Sequence, residues 1–343
     1  MVSEMRQVVA DLFKPNPWLY YIDIILSAAL GWTAFGVALS LTPFSWIHLL
    51  AVLVAALALY RAILFTHELV HLKTGDVPGL RALWSVLVGI PLMLPNFLYL
   101  GVHVAHHSKK LYGTRGDGEY LPFATRRPTL ILRHFVLYLV RPLAVLLRFA
   151  LVAPISVATK QIRRRVMQKM SSQSMRASFR REIPTRADEL RSWSIQESAA
   201  FVLALAVILA TLLGVLPLAV LGHWYLVVFI VFLLNGFRSL GATHRYRADN
   251  KESTFEQQLE DSVTVTGNVP SSLFVCPVGL RYHALHHVFP SIPYHQLGKA
   301  HKRLWKELPP DAPYRQTAVT TVWAGCAQVW SEAVAHSHSR KAT

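Results

Sequence analysis

The chain has only two cysteines, Cys276 and Cys326. There is therefore no disulfide framework, no C-x-x-C pair and no cysteine set for an iron–sulfur centre. Charge is also scarce. Charged residues make up 16% of the 343, against about 25% in soluble domains. Acids are the scarcer sign, with 19 Asp and Glu against 35 Lys and Arg, for a net charge of +16. A nucleotide-binding strand–turn–helix is missing too: "GTRGDG" at 113–118 has the wrong spacing for G-x-G-x-x-G. No haem-type domain, internal repeat or cleavable secretory leader is evident. The basic residues border apolar runs, which argues for a membrane protein and against a nucleic-acid binder.

Long apolar runs are what the chain has in abundance. Trp18 to Pro43 is broken only by Asp23, and Phe44 to Tyr60 carries no charge. The uncharged turn "LTPF" between them predicts a helical hairpin. Ser198 to Phe237 is 40 residues without a charge, about 60 Å as helix, or two crossings of a core about 30 Å thick. Pro217 supplies its break. Ala82–Val102 is long enough to span but holds Gly89, Pro91, Pro95 and Asn96, which favours a re-entrant or interfacial path. Leu130–Val157 carries Arg133, Arg141 and Arg148 at spacings that suggest one face of an interfacial helix. Residues 158–191 carry ten Lys or Arg against three acids. The positive-inside rule then puts that stretch, both termini and 238–343 in the cytoplasm.

The expectation is an all-α integral membrane protein: two transmembrane hairpins, about four spans, with interfacial or re-entrant helices under a cytoplasmic histidine-rich cap. It reads as one domain over 1–343. The first hairpin covers 18–66, the first two histidine boxes and the basic segment 67–197, the second hairpin 198–237, and the cap 238–343.

Sixteen histidines are many, and they cluster. "HELVH" places His67, Glu68 and His71 in the H-E-x-x-H zinc signature, with the glutamate as base. "HVAHH" gives His103, His106 and His107; "HALHH" gives His283, His286 and His287. On a helix, i, i+3 and i+4 share a face, so each box can aim its imidazoles at one point. His48, His134, His223, His336 and His338 stand alone and read as ordinary satisfied or interfacial side chains. The boxes offer eight imidazoles, whereas one metal takes about four to six ligands. Two metals are implied. A membrane zinc hydrolase or protease using HELVH would leave six clustered histidines unexplained, so it is the remote alternative. His244, just after the last apolar run, is a ninth candidate ligand. Glu68, Asp117, Glu119, Asp249 and Asp261 are candidates to hydrogen-bond ligand imidazoles.

With "HELVH", "HVAHH" and "HALHHVFPSIPYHQLGKAH", the chain resembles the membrane-bound fatty acid desaturase and hydroxylase superfamily, in a bacterial-type branch. "YGTRGDGEY" and the stretch from "THRYRADN" to "QLEDSV" are similar to family segments. The resemblance spans roughly residues 60–305; the N-terminal hairpin matches only in character. It implies a four-helix stem under a cytoplasmic cap, two iron ions at the interface and O2 as co-substrate. It carries metal ligation onto His67, His71, His103, His106, His107, His283, His286 and His287, and matches His244 to an isolated ligand histidine. Where some relatives have an asparagine four residues earlier, this chain has Leu240, with Asn235 nine before.

The expected activity is O2-dependent oxidation of a fatty acid or fatty acyl lipid, with desaturation first. Hydroxylation, or oxidative decarboxylation of a free fatty acid to a terminal alkene, is the alternative on the same site. Arg238, Arg245 and Arg247 flank His244 and are candidates to hold a substrate head group. Electrons require a separate carrier, ferredoxin-, rubredoxin- or cytochrome b5-like, which the basic 158–191 face could steer. The expected place is a bacterial inner membrane, with the site on the cytoplasmic face and lipid around the stem.

Overall fold

The computed structural model describes residues 2–267 and 269–339. Helices α1 (Pro17–Ser40) and α2 (Trp46–His71) form the first hairpin. Asn16 caps α1 through the Trp18 N–H, and Ser45 caps α2 through the His48 N–H. The two helices pack through small residues: Ala28, Ala34 and Ala38 of α1 and Ala51, Ala55 and Ala56 of α2 lie in one buried cluster. Water exclusion contributes little between helices in lipid, so close approach through small side chains does the packing. Asp23, the one charge in the first run, is satisfied by Arg61 of α2 and by the Tyr294 hydroxyl.

The segment after α2 enters and turns back. Helix α3 (Leu80–Trp84) runs into a π-helical turn, Ser85–Gly89, and α4 (Phe97–His106) returns. The carbonyls freed at the break find indole donors, Trp32 to Leu87 O at 2.8 Å and Trp224 to Pro91 O at 3.0 Å. Arg81 binds Asn96, and Asn96 donates to the Thr66 hydroxyl of α2 at 2.9 Å. Broken backbone is tolerated here because protein groups satisfy it.

Helix α5 (Thr129–Leu147) continues through a π turn to Ser156 and is a fifth helix long and apolar enough to cross a membrane, beside α1, α2, α7 (Ala187–Leu212) and α8 (Leu218–Ala242). Short α6 (Lys160–Lys169) precedes α7. The arginines of α5 do not form the expected outward stripe. Arg133 faces out, but Arg141 lies over the rings of Tyr138 and Phe232, and Arg148 is buried against Glu197 at 2.6 Å. Arg163 of α6 binds the same carboxylate. An inward arginine is stable only because these partners are brought to it.

The cap contains α9 (Phe255–Asp261), β1 (Thr264–Val265), α10 (His283–Val288), α11 (Tyr294–Glu307), β2 (Ala318–Val319) and α12 (Val322–Ser339). A two-residue parallel pairing, Thr264 with Ala318 and Val265 with Val319, closes it. Leu285, Phe289, Ile292 and Leu297 form its core with Met5, Val9 and Leu12 from the N-terminal segment. Helix α12 lies against α8 so closely that a Cβ on Gly325 would sit 2.1 Å from the Gly241 carbonyl oxygen.

Candidate metal centre

Nine imidazoles converge where α2, α4, α8 and α10 meet. They divide into His67, His71, His103, His107 and His286, and His106, His244, His283 and His287. Within each set all the ligand atoms lie within 4.8 Å of one another. The boxes do not each point at one centre, as the shared-face argument suggested. In each H-x-x-H-H box the i and i+4 histidines go to one set and the i+3 histidine to the other. The reason is helical angle: i+3 and i+4 are successive residues, about 100° apart around the axis. His107 stacks on His287 at 4.6 Å, so the two sets abut.

The imidazoles are oriented from behind. Asp117 accepts from His106 Nδ1 at 2.8 Å, and Glu119 from His103 Nδ1 at 2.9 Å. Asp261 reaches His244 through a tyrosine: His244 Nδ1–H donates to the Tyr112 oxygen at 2.8 Å, and the Tyr112 hydroxyl donates to Asp261 at 2.8 Å. Tyr120 donates to the same carboxylate. Glu68 is anchored differently. It accepts from the Tyr20 hydroxyl at 2.7 Å and the Tyr294 N–H at 3.0 Å, and its other oxygen lies 3.7 Å from His67 Nδ1. Asp249 is away from the site, paired with Arg126.

These tautomers bear on whether metals fit. With Nδ1 donating in both, His106 and His244 present Nε2 lone pairs only 3.1 Å apart. His283 Nε2 lies 3.1 Å from that of His244 and 3.0 Å from that of His287. The facing lone pairs of His106 and His244 repel, and a shared cation removes that repulsion. Burial pushes protonation of His103, His107, His244, His283, His286 and His287 well below the usual histidine range, which keeps them neutral and able to ligate. His106 moves the other way. Burial is the largest effect and opposes its proton, but the Asp117, Glu119 and Asp261 carboxylates together raise its pKa above the usual histidine range. Buried His67 has no hydrogen-bond partner on either ring nitrogen among the described residues. Two nitrogen-rich sites, of five and four imidazoles, fit two metal ions of the imidazole-preferring kind.

Beside the first set lies a cavity lined by Thr66, His67, Tyr99, Glu119, Gln173, Asn235 and Arg238, with Ile63, Leu64, Val231 and Phe232 as its apolar wall. Arg238 is buried and hydrogen-bonds the Asn235 side-chain oxygen at 3.0 Å. Of the three arginines flanking His244, the structure brings only Arg238 here. Arg245 binds Gln328 and the Gln316 carbonyl, and Arg247 binds Glu332. Both tie down α12 and its approach instead of facing the cavity. Sequence reasoning gave no role to Tyr20, Tyr99, Tyr112, Tyr120 or Tyr294. A signal did exist for three of them, since Tyr112 and Tyr120 are the ends of "YGTRGDGEY" and Tyr294 lies in "HALHHVFPSIPYHQLGKAH".

Five long apolar helices, a histidine-lined double site and a cavity with an apolar wall define an integral membrane protein with a metal-binding type of centre beside an apolar cavity. The fatty acid desaturase family profile matches residues 43–318, and the chain belongs to that family, one known for di-iron use. It is also 38% identical over 320 residues to a ceramide hydroxylase of Caulobacter vibrioides, an alignment covering 92% of this chain and 90% of that one. The chain is therefore an oxidoreductase of the membrane desaturase/hydroxylase type, acting on fatty acyl lipid.

Proposed function

We propose that this enzyme hydroxylates the hydrocarbon chain of a ceramide-type lipid in an O2-dependent reaction, with an iron ion in each histidine set. The near-full-length likeness to a ceramide hydroxylase carries the reading. The cavity supports it. Its volume of about 70 Å³ takes a short stretch of the lipid: Thr66, Tyr99, Gln173, Asn235 and Arg238 offer hydrogen bonds to amide or hydroxyl groups, and the wall from Ile63 to Phe232 suits the adjoining methylenes.

A bound pair of irons would supply activation of O2 against an unactivated C–H bond, which side chains alone cannot provide. One oxygen atom enters the C–H bond. The other leaves as water, using two electrons and two protons from a donor. The protein's own residues do the placing. Arg238, held by Asn235, fixes the polar head, so the carbon beside His67 is set by distance along the chain. Tyr99 donates to Glu119 at 3.3 Å and sits 2.9 Å from His103 Nδ1, which gives a proton a path along the cavity wall. Reducing electrons come from a separate acidic carrier. A cleft lined by Arg6, Lys14 and Lys73 reaches His71 and Glu68 and suits its approach.

The family membership also supports desaturation, in which two hydrogens leave and both oxygens become water. The test is a chain-deuterated ceramide given to membranes containing the enzyme and a reducing system, with lipids read by mass spectrometry. Gain of one oxygen is expected. A product lacking two deuterons without added oxygen would replace hydroxylation with desaturation. A free fatty acid converted to an alkene one carbon shorter would restore decarboxylation.

A further inference from the structure

Five arginines that the reaction does not use line one groove of about 760 Å³: Arg115, Arg126, Arg127, Arg133 and Arg176. Only Arg126 has an acidic partner among the described residues, Asp249 at 2.6 Å. Such a concentration of like charge costs free energy unless an anion offsets it. Three polar atoms in the groove's lining are buried without a hydrogen-bond partner among the described residues: Arg176 Nε, His336 Nε2 and Asn250 Oδ1. Arg176 Nε is a fixed donor and lacks an acceptor, and His336 Nε2 lacks one when it carries the proton. Asn250 Oδ1 lacks a donor, and a headgroup hydroxyl can be one.

The groove opens at the first turn of α5, where Thr129 and Leu130 line it. From there the same helix turns Leu132, Val136, Leu139, Val140 and Leu143 outwards. A cationic pocket continuous with an exposed apolar helix face matches a molecule with a phosphate at one end and hydrocarbon at the other. We propose that this groove seats the phosphate of an anionic phospholipid, whose acyl chains lie along α5. Free phosphate would leave the apolar face uncovered. An acidic protein surface would not reach donors buried within the pocket.

The test uses the full chain, metal-loaded, in a neutral detergent. Retention of phosphatidylglycerol against phosphatidylcholine is read by native mass spectrometry from an equal mixture. Wild type should prefer phosphatidylglycerol. The preference should fall about five-fold for each arginine removed in Arg127→Gln and Arg133→Gln, and survive in the two Lys variants. Both side chains are exposed, so neither change strands a buried group; unchanged metal content verifies the fold. Arg165→Gln, outside the groove, should match wild type. Equal retention of the two lipids by wild type, or an unaltered preference in the double Gln variant, would overturn the assignment. Displacement of the lipid by millimolar inorganic phosphate alone would overturn it in favour of a free anion. Loss of an acidic carrier protein's binding in the Gln variants, with lipid preference intact, would overturn it in favour of a protein contact.

Discussion

At the scale of single residues, the acids near the histidines have distinct duties. Asp117 and Glu119 each hold one imidazole directly, whereas Asp261 works through Tyr112. Asp117→Asn keeps the shape but weakens the hydrogen bond that fixes His106, so metal affinity should fall about 10–100-fold, read by competition with a chelator. His286→Ala removes a member of the five-imidazole set. Metal analysis should drop from about two ions per chain towards one, with no detectable product. Glu68 is anchored through one oxygen by Tyr20 and the Tyr294 backbone, which holds it behind His67. Glu68→Gln should therefore lower turnover while keeping metal content; complete inactivity at full metal content would give it back a base's role. Eight of the nine clustered histidines were legible because helical spacing advertises them; His244 was legible only by its place just after the last apolar run. The tyrosines were not, because a hydroxyl that bridges Tyr112 to His244, 132 positions away, leaves no periodic mark.

At the scale of elements, the hairpins followed from charge-free runs and a proline, but their ends did not. Helix α2 carries straight on into His67 and His71, and α8 runs past Phe237 to Ala242, because Arg238 finds Asn235 on the preceding turn. Helix α5 was harder still. In sequence its arginines look water-facing, and only the fold brings Glu197 to Arg148, 49 positions on. Glu197→Gln leaves two guanidiniums facing a neutral amide. We expect a loss of about 3–5 kcal/mol, read as a lowered unfolding temperature in detergent. Gly325→Ala tests another junction. Its methyl would meet the Gly241 carbonyl, so α12 must shift from α8. Stability should fall, and metal should become more easily chelated, because α8 leads directly to His244.

At the scale of the whole molecule, the first histidine set draws from both sides of a break, with His67 and His71 before it and His103 and His107 after it. Had residues 80–106 crossed fully, His103 and His71 would lie on different faces of the bilayer; instead their Nε2 atoms are 2.8 Å apart. After replacement of Cys276 and Cys326, a cysteine put in place of Ser108 and one in place of Lys73 should react with an impermeant maleimide from the same side. Labelling of the two from opposite sides would exclude a shared site. The prolines and Asn96 signalled this path in advance, though not its fastening by Arg81, Trp32 and Trp224.

The division of imidazoles between the sets also has a consequence for biosynthesis. Four members of the first set and one of the second lie within residues 67–107, but the first set is closed by His286 and the second by His283 and His287. A ribosome that has finished the second hairpin has therefore completed neither site. Neither set can be completed before the last quarter of translation, and a chain cut short before His283 would leave the membrane with a stem that lacks both complete sets.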